Sequence, residues 1–199
     1  NTTASDNTAC GYQALSSNTT GVDNTAFGSG ALVFNTTADN NTALGSAALD
    51  ANTTGANNTG VGREALTANT TGNNNVAIGK NGLYSNTTGT NNTSLGISAG
   101  FSITTGNGNI VLGSVTGGGS YAPVFNVSTE DERLVLGHTG ITNAYVQVAF
   151  TVTSDERDKI DFQSIPHGLD FVNKLKPKSF WFRKDRKSDK KTGQQRYGF

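Results

Sequence analysis

The sequence predicts an all-β fold. Residues 1–119 read as a trimeric parallel β-solenoid of 17-residue coils, 120–153 as a β-rich joint, and 154–199 as a small α+β segment. Three observations predict it. The motif N-T-A-C-G at Asn7 returns in related form at Asn24, Asn41, Asn58, Asn75, Asn92 and Asn109, always 17 residues on. Those 119 residues hold 20 Asn and 22 Thr, both poor helix formers. Apolar residues make up 34% of the 199, against a usual ~45–50%, which excludes a conventional thick core.

A short period without drift means that each unit makes one turn of a stack, with equivalent residues above one another. Helical repeats need roughly 33 residues or more, so β-structure is the remaining choice. Seventeen extended residues give a contour of about 56 Å, enough to close a narrow coil. Two further columns run in step. N-T-T recurs at Asn1, Asn18, Asn35, Asn52, Asn69 and Asn86, and leucine at Leu15, Leu32, Leu49, Leu66 and Leu83. The unit is N-T-T-G-x-x-N-T-A-Φ-G-x-x-A-L-x-x, with Φ apolar.

Alternation along a strand puts Thr8 and Cys10 on one face and Asn7 and Ala9 on the other. The Φ column (Cys10, Phe27, Leu44, Val61, Ile78, Leu95, Leu112) is expected to point inward with the leucines, making Cys10 a core residue. The small column (Ala9, Ala26, Ala43, Gly60, Ala77, Ser94) is expected to face outward, where another chain packs closely. Glycines after Φ, from Gly11 to Gly113, are expected to turn corners at positive φ. Stacked asparagines are expected to form amide ladders. So few large apolar residues per coil call for association, and a homotrimer is expected.

Beyond Gly117–Gly118–Gly119 the period is lost, but R-L-V-L-G (133–137) and A-Y-V-Q-V-A-F-T-V-T (144–153) still read as strands. The acidic cluster Glu130, Asp131, Glu132 reads as a solvated turn. From Ser154 the character changes: residues 1–153 carry three basic against eight acidic residues, and 154–199 twelve against seven. Ser154 and Asp155 suit a helix N-cap. Leu169, Val172 and Leu175 recur at helical spacing after Pro166, and Pro177 ends that stretch. F-W-F (180–182) reads as a strand, and residues 184–196 as a charged loop.

T-S-D-E-R-D-K-I, followed by I-P-H-G-L-D-F-V-N-K-L-K-P-K-S-F-W-F, resembles the start of the C-terminal intramolecular chaperone domain of bacteriophage tail fibres and endosialidase tailspikes. The resemblance implies a domain that trimerises the nascent fibre, sets its β-structure in register and is often released by self-cleavage. It implies Ser154 as the nucleophile, Lys159 as its general base and Asp155 as a neighbour at the cleavage site. A solvated lysine near 10.4 stays protonated, so Lys159 must be buried to serve as a base. The competing reading is that Ser154 caps a helix and Lys159 is a surface charge. The family continues into long helices where this chain stops at R-Y-G-F, so the segment is expected to be truncated. N-N-V-A-I-G (74–79) is similar to the coil motif of trimeric autotransporter adhesin heads.

Other signals are weaker. The N-x-T triplets match glycan acceptors, but recurrence at the structural period favours a turn-and-ladder role. His138 and His167 have no partner at metal spacing, so neither a metal nor a cofactor is expected. The basic tail is interleaved with Asp, which argues against nucleic acid, and no run of 18 apolar residues suggests insertion into a membrane. No Ser-His-Asp set or carboxylate pair marks an enzyme acting on external substrates. The expectation is a fibre of the virion, extracellular, presenting a surface to a host receptor or glycan. The alternatives are a bacterial surface adhesin and the non-catalytic part of a depolymerase spike.

Overall fold

The computed structural model describes residues 3–143 in full, and the backbone alone of 178–183 and 191–198. The chain divides into two units, Asn1–Tyr145 and Val146–Phe199. The first is an all-β parallel β-solenoid. Eight three-residue strands stack in chain order into one sheet: β1 (Thr8–Cys10), β2 (Thr25–Phe27), β3 (Thr42–Leu44), β4 (Thr59–Val61), β5 (Val76–Ile78), β6 (Thr93–Leu95), β7 (Ile110–Leu112) and β8 (Leu134–Leu136). Each pairs in parallel with the next, and through β7 the register advances by the sequence period, as in Thr25↔Thr42 and Phe27↔Leu44.

The last step is longer. Ile110 pairs with Leu134, and Leu112 with Leu136, a step of 24 residues. Val127-Ser128-Thr129 takes the place of N-T-T, and Thr104 N donates to Ser128 O at 2.8 Å as Thr87 N does to Thr104 O. The extra residues lie in the loop between Gly113 and Val127. The acidic cluster 130–132 is the corner that follows in that last rung, and Asp131 Oδ1 accepts the Asn107 backbone N–H.

Through Leu83 the interior of each coil is a leucine, two small residues and two asparagines. Leu32, Leu49, Leu66 and Leu83 are fully buried, and so are Ala26, Ala43 and Ala77. The Φ residues are outside: Phe27 is 54% exposed and Leu95 51%. The expected orientation of the strand is therefore inverted. Volume decides it: a Cβ added at Gly60 meets Leu49 Cγ at 3.5 Å, so the leucine already fills the lumen and only a small residue fits opposite. Cys10, expected in the core, is exposed for the same reason. The alanine faces, expected to receive another chain, are the inside of the coil.

Two amide ladders replace the missing apolar bulk. Asn52 Nδ2 donates to Asn35 Oδ1 and Asn69 Nδ2 to Asn52 Oδ1, both at 2.9 Å, and Asn52 Nδ2 also reaches Gly55 O. In the second ladder Asn41 donates its backbone N–H to Asn24 Oδ1 at 3.0 Å and its side-chain amide to the same oxygen at 3.2 Å. Fully buried polar side chains are tolerated because they are bonded along the stack. The repeated N-T-T asparagines are thus structural and inaccessible, while the first Thr of each triplet bonds the next rung, as Thr53 Oγ1 does to Thr70 O at 3.0 Å.

Tight coils need left-handed corners. One coil uses four: Asp23 (φ 57), Gly28 (141), Gly30 (73) and Leu32 (52). The glycine after Φ is obligatory, since a Cβ on Gly28 would lie 2.5 Å from Gly45 O.

In the second unit, β9 (Lys178–Arg183) and β10 (Lys191–Gly198) form an antiparallel pair with a register shift between Lys191 and Gln195. The strand expected at 180–182 is present. The charged loop expected over 184–196 is overturned for 191–196, which pairs as β10: Thr192, Gln194 and Gln195 are polar but compatible with an extended chain. The helices expected after Ser154 and Pro166, and the strand expected over 144–153, lie outside the described residues.

Candidate functional site

The inverted strand orientation creates the most conspicuous surface of the solenoid. Each strand turns its first and third residues outward, so the eight strands display two parallel columns. The third-residue column reads Cys10, Phe27, Leu44, Val61, Ile78, Leu95, Leu112 and Leu136. The first-residue column reads Thr8, Thr25, Thr42, Thr59, Val76, Thr93, Ile110 and Leu134. Together they make an unbroken stripe without a single charged side chain. It is more apolar toward the C-terminal end: the first four rungs pair a threonine with Φ, while β5, β7 and β8 are apolar in both columns. Leu134 is 61% exposed and Leu136 49%. Isolated exposed apolar residues are ordinary, but a contiguous stripe marks a contact surface.

The other sides of the coil are more polar, with scattered exposed apolar residues such as Phe34 and Ile97. Thr37, Thr54, Thr71 and Thr88 form an exposed column, with exposed Asn40, Asn57, Asn74 and Asn91 on left-handed corners beside it. Arg63 and Glu64 make the one ion pair among the described residues, at 3.2 Å. Aromatic rings gather near the inserted loop. Tyr84 and Phe101 stack at 4.9 Å between centroids, Tyr121 tilts against Phe101 at 5.7 Å, and Tyr121 Oη donates to Asn126 Oδ1 at 3.0 Å.

Chemistry is sparse here. Among the described residues no three His, Cys, Asp or Glu come together as a metal-holding group. His138 Nδ1 accepts the Gly140 N–H at 3.1 Å, a local turn contact. Burial raises the pKa of Asp50. Glu130 is held below the usual glutamate range, chiefly by the Ser128 backbone N–H that its carboxylate accepts at 2.7 Å. Ser154, Asp155 and Lys159 lie outside the described residues. The exposed stripe escaped the sequence reading because alternation defines two faces without saying which one is inside.

Residues 154–199 match the family described as the chaperone of endosialidase. A comparison with curated proteins and with solved structures found no match. The match begins at Ser154, where the change of charge and composition begins.

Proposed function

We propose that this chain is the distal part of a bacteriophage tail fibre or tailspike, a homotrimeric structural protein of the virion. The solenoid is its rigid spacer and presents a surface to the host cell. Residues 154–199 are the start of an intramolecular chaperone that trimerises the fibre and sets three copies in register. The observation that carries this reading is the chaperone-of-endosialidase match lying directly downstream of a parallel β-solenoid. The uncharged stripe supports it, because a spacer working alone would have no use for a continuous apolar face in water. In the mature fibre the chaperone is released. The Ser154 hydroxyl attacks the Thr153 carbonyl as the neutral amine of Lys159 takes its proton. The Thr153–Ser154 C–N bond breaks as that proton passes to the departing Ser154 amine, water then hydrolyses the ester to free the Thr153 carboxylate, and Asp155 stands beside the cut.

Light scattering on the uncut Ser154→Ala chain tests the assembly: three times the 20.7 kDa chain mass is expected, and a lone subunit refutes it. Intact-mass measurement tests the cleavage. A product ending at Thr153 that vanishes in Ser154→Ala is expected, and a mass running past Ser154 removes the proteolytic role. A second reading, the head of a trimeric bacterial surface adhesin, is favoured by the N-N-V-A-I-G rung alone. A membrane-anchor barrel encoded downstream would decide for it.

A further inference from the structure

We infer that the two-column stripe on the solenoid is the seam along which copies of this chain meet, parallel and in register, each rung against the same rung of its neighbour. The inference rests on the reading of the chain as a multi-copy fibre and adds the surface, the direction and the register to it.

The stripe selects its partner by spacing. Its side chains repeat at the rung distance of a parallel sheet, ~4.8 Å, along all eight strands. A second copy laid alongside in the same direction has the same repeat, and of the one-rung shifts the repeat allows, only the in-register one sets the all-apolar rungs β7 and β8 against their own equivalents. Charge argues the same way: neither column holds a charged group, so a charged partner would lose its solvation here with nothing to pair against. Threonines in the first column place methyl and hydroxyl groups beside their own equivalents, a like-with-like contact that polar groups of one kind tolerate.

Size then says how the seam is used. Seven steps of ~4.8 Å make it about 34 Å long, and two columns make it about 10 Å wide, so each copy offers roughly 300–400 Å². That is as large as the largest apolar patch of a typical soluble monomer, often a functional one. It is at most half of the roughly 800 Å² that each partner of a stable complex buries. The seam therefore closes in copies first brought together elsewhere, and the chaperone match at 154–199 supplies an element suited to bring them together before its release.

The native chain carries its own reporter. Its single cysteine, Cys10, is exposed and stands in the Φ column of the first rung. In the full 199-residue chain, brief treatment with diamide should join Cys10 of one copy to Cys10 of another. Two thiols give one disulfide, and their protons and electrons reduce diamide to its hydrazine. Moving the thiol tests the geometry: Cys10→Ser with Phe27→Cys should crosslink equally fast, whereas Cys10→Ser with Thr37→Cys, on the threonine column, should remain uncrosslinked. All three sites are exposed, so the substitutions leave the coil interior untouched. An assembly of three copies in which stripe cysteines stay reduced overturns the seam and leaves the trimer standing. A lone subunit by light scattering overturns both, including the case where the stripe is shielded by its own chain.

Discussion

Glycine columns in this solenoid look alike in the sequence but answer to different constraints. Gly45 sits at φ 144 with its missing Cβ 2.5 Å from Gly62 O, so Gly45→Ala strains the backbone and drives a side chain into main chain that cannot move aside. Its expected cost is about 3 kcal/mol or more, read from the urea midpoint. Gly30 is left-handed too (φ 73), but its nearest neighbour to a Cβ is 3.7 Å away, and Ala47 and Glu64 already occupy the equivalent corner. Gly30→Ala should cost only about 1–2 kcal/mol. A second residue-scale device sits where the sixth repeat meets the seventh. The leucine column ends at Gly100 while the N-T-T asparagine is replaced by buried Ile103, whose Cδ1 would lie 3.2 Å from a Gly100 Cβ. One apolar side chain has moved from one column to the other, three residues further along the chain. The ladder stops there, and Asn86 Oδ1 is buried without a partner. Ile103→Asn alone should cost about 3 kcal/mol by emptying the lumen. Gly100→Leu alone should cost about 1–3 kcal/mol by overpacking against Leu83 and Ile103. The double variant should return to within about 1 kcal/mol of wild type, because it restores the consensus coil and gives Asn86 Oδ1 a donor. Additive losses in the double variant would refute this account.

At the scale of the rung, stacking makes whole coils exchangeable. Deleting residues 52–68 joins Ala51 to Asn69 and leaves every column continuous, so Asn69 takes the place of Asn52 above Asn35. The shortened chain should fold cooperatively into a solenoid about 4.8 Å shorter by small-angle scattering. Deleting 52–67 instead shifts each later column by one residue, putting Gly82 and Ala99 where leucines belong and asparagines where threonines do, and should abolish the β-sheet circular dichroism. The eighth rung is closed by a different device. Glu130 accepts the Ser128 N–H at 2.7 Å and the Thr129 N–H at 3.1 Å, which holds its pKa below the ordinary 4.5. A carboxylate with a depressed folded pKa contributes stability above its unfolded value and loses it as pH falls through the folded one. Glu130→Gln should therefore be less stable than wild type at neutral pH, with the two denaturation midpoints converging as the solution is acidified below that value. Midpoints that differ equally at all pH would show that the carboxylate charge has no part in the corner. This rung also shows why sequence reading fell short. V-S-T-E-D-E-R-L-V-L-G keeps only the outline of the consensus, and the long 113–127 connection displaces it from the period. The signals that could have located it are a Gly directly after an apolar triplet and a hydroxyl two places into the unit.

For the molecule as a whole, the period was legible because each coil must repeat the solution of the one before it; the stacked asparagines and the positive-φ glycines followed from the same constraint. What alternation alone could not settle was inside against outside, since Ala26 and Phe27 exchange roles when the strand is turned over. Only the fixed volume of a lumen already holding Leu32 selects alanine. The consequence is a protein held by backbone ladders, amide ladders and one leucine per coil, with almost no charge engaged: the repeats contain seven charged residues, and the Arg63–Glu64 pair is the one ion pair among the described residues. Surface pairs of this kind contribute about 0–1 kcal/mol and are screened by salt. Raising sodium chloride from the millimolar range to about 1 M, where the Debye length is ~3 Å, should thus leave the urea midpoint of the intact chain nearly unchanged. Protein concentration should move it instead. If copies close on one another along the stripe, folding is linked to association, and the midpoint should rise steadily with dilution reversed over two decades of concentration. Raising Leu134→Lys and Leu136→Lys on the most apolar rung should flatten that dependence while leaving the single-chain circular dichroism intact, because both side chains point outward. A midpoint that follows salt and ignores concentration would mean that the solenoid stands by electrostatics and alone, against everything its side chains are arranged to do.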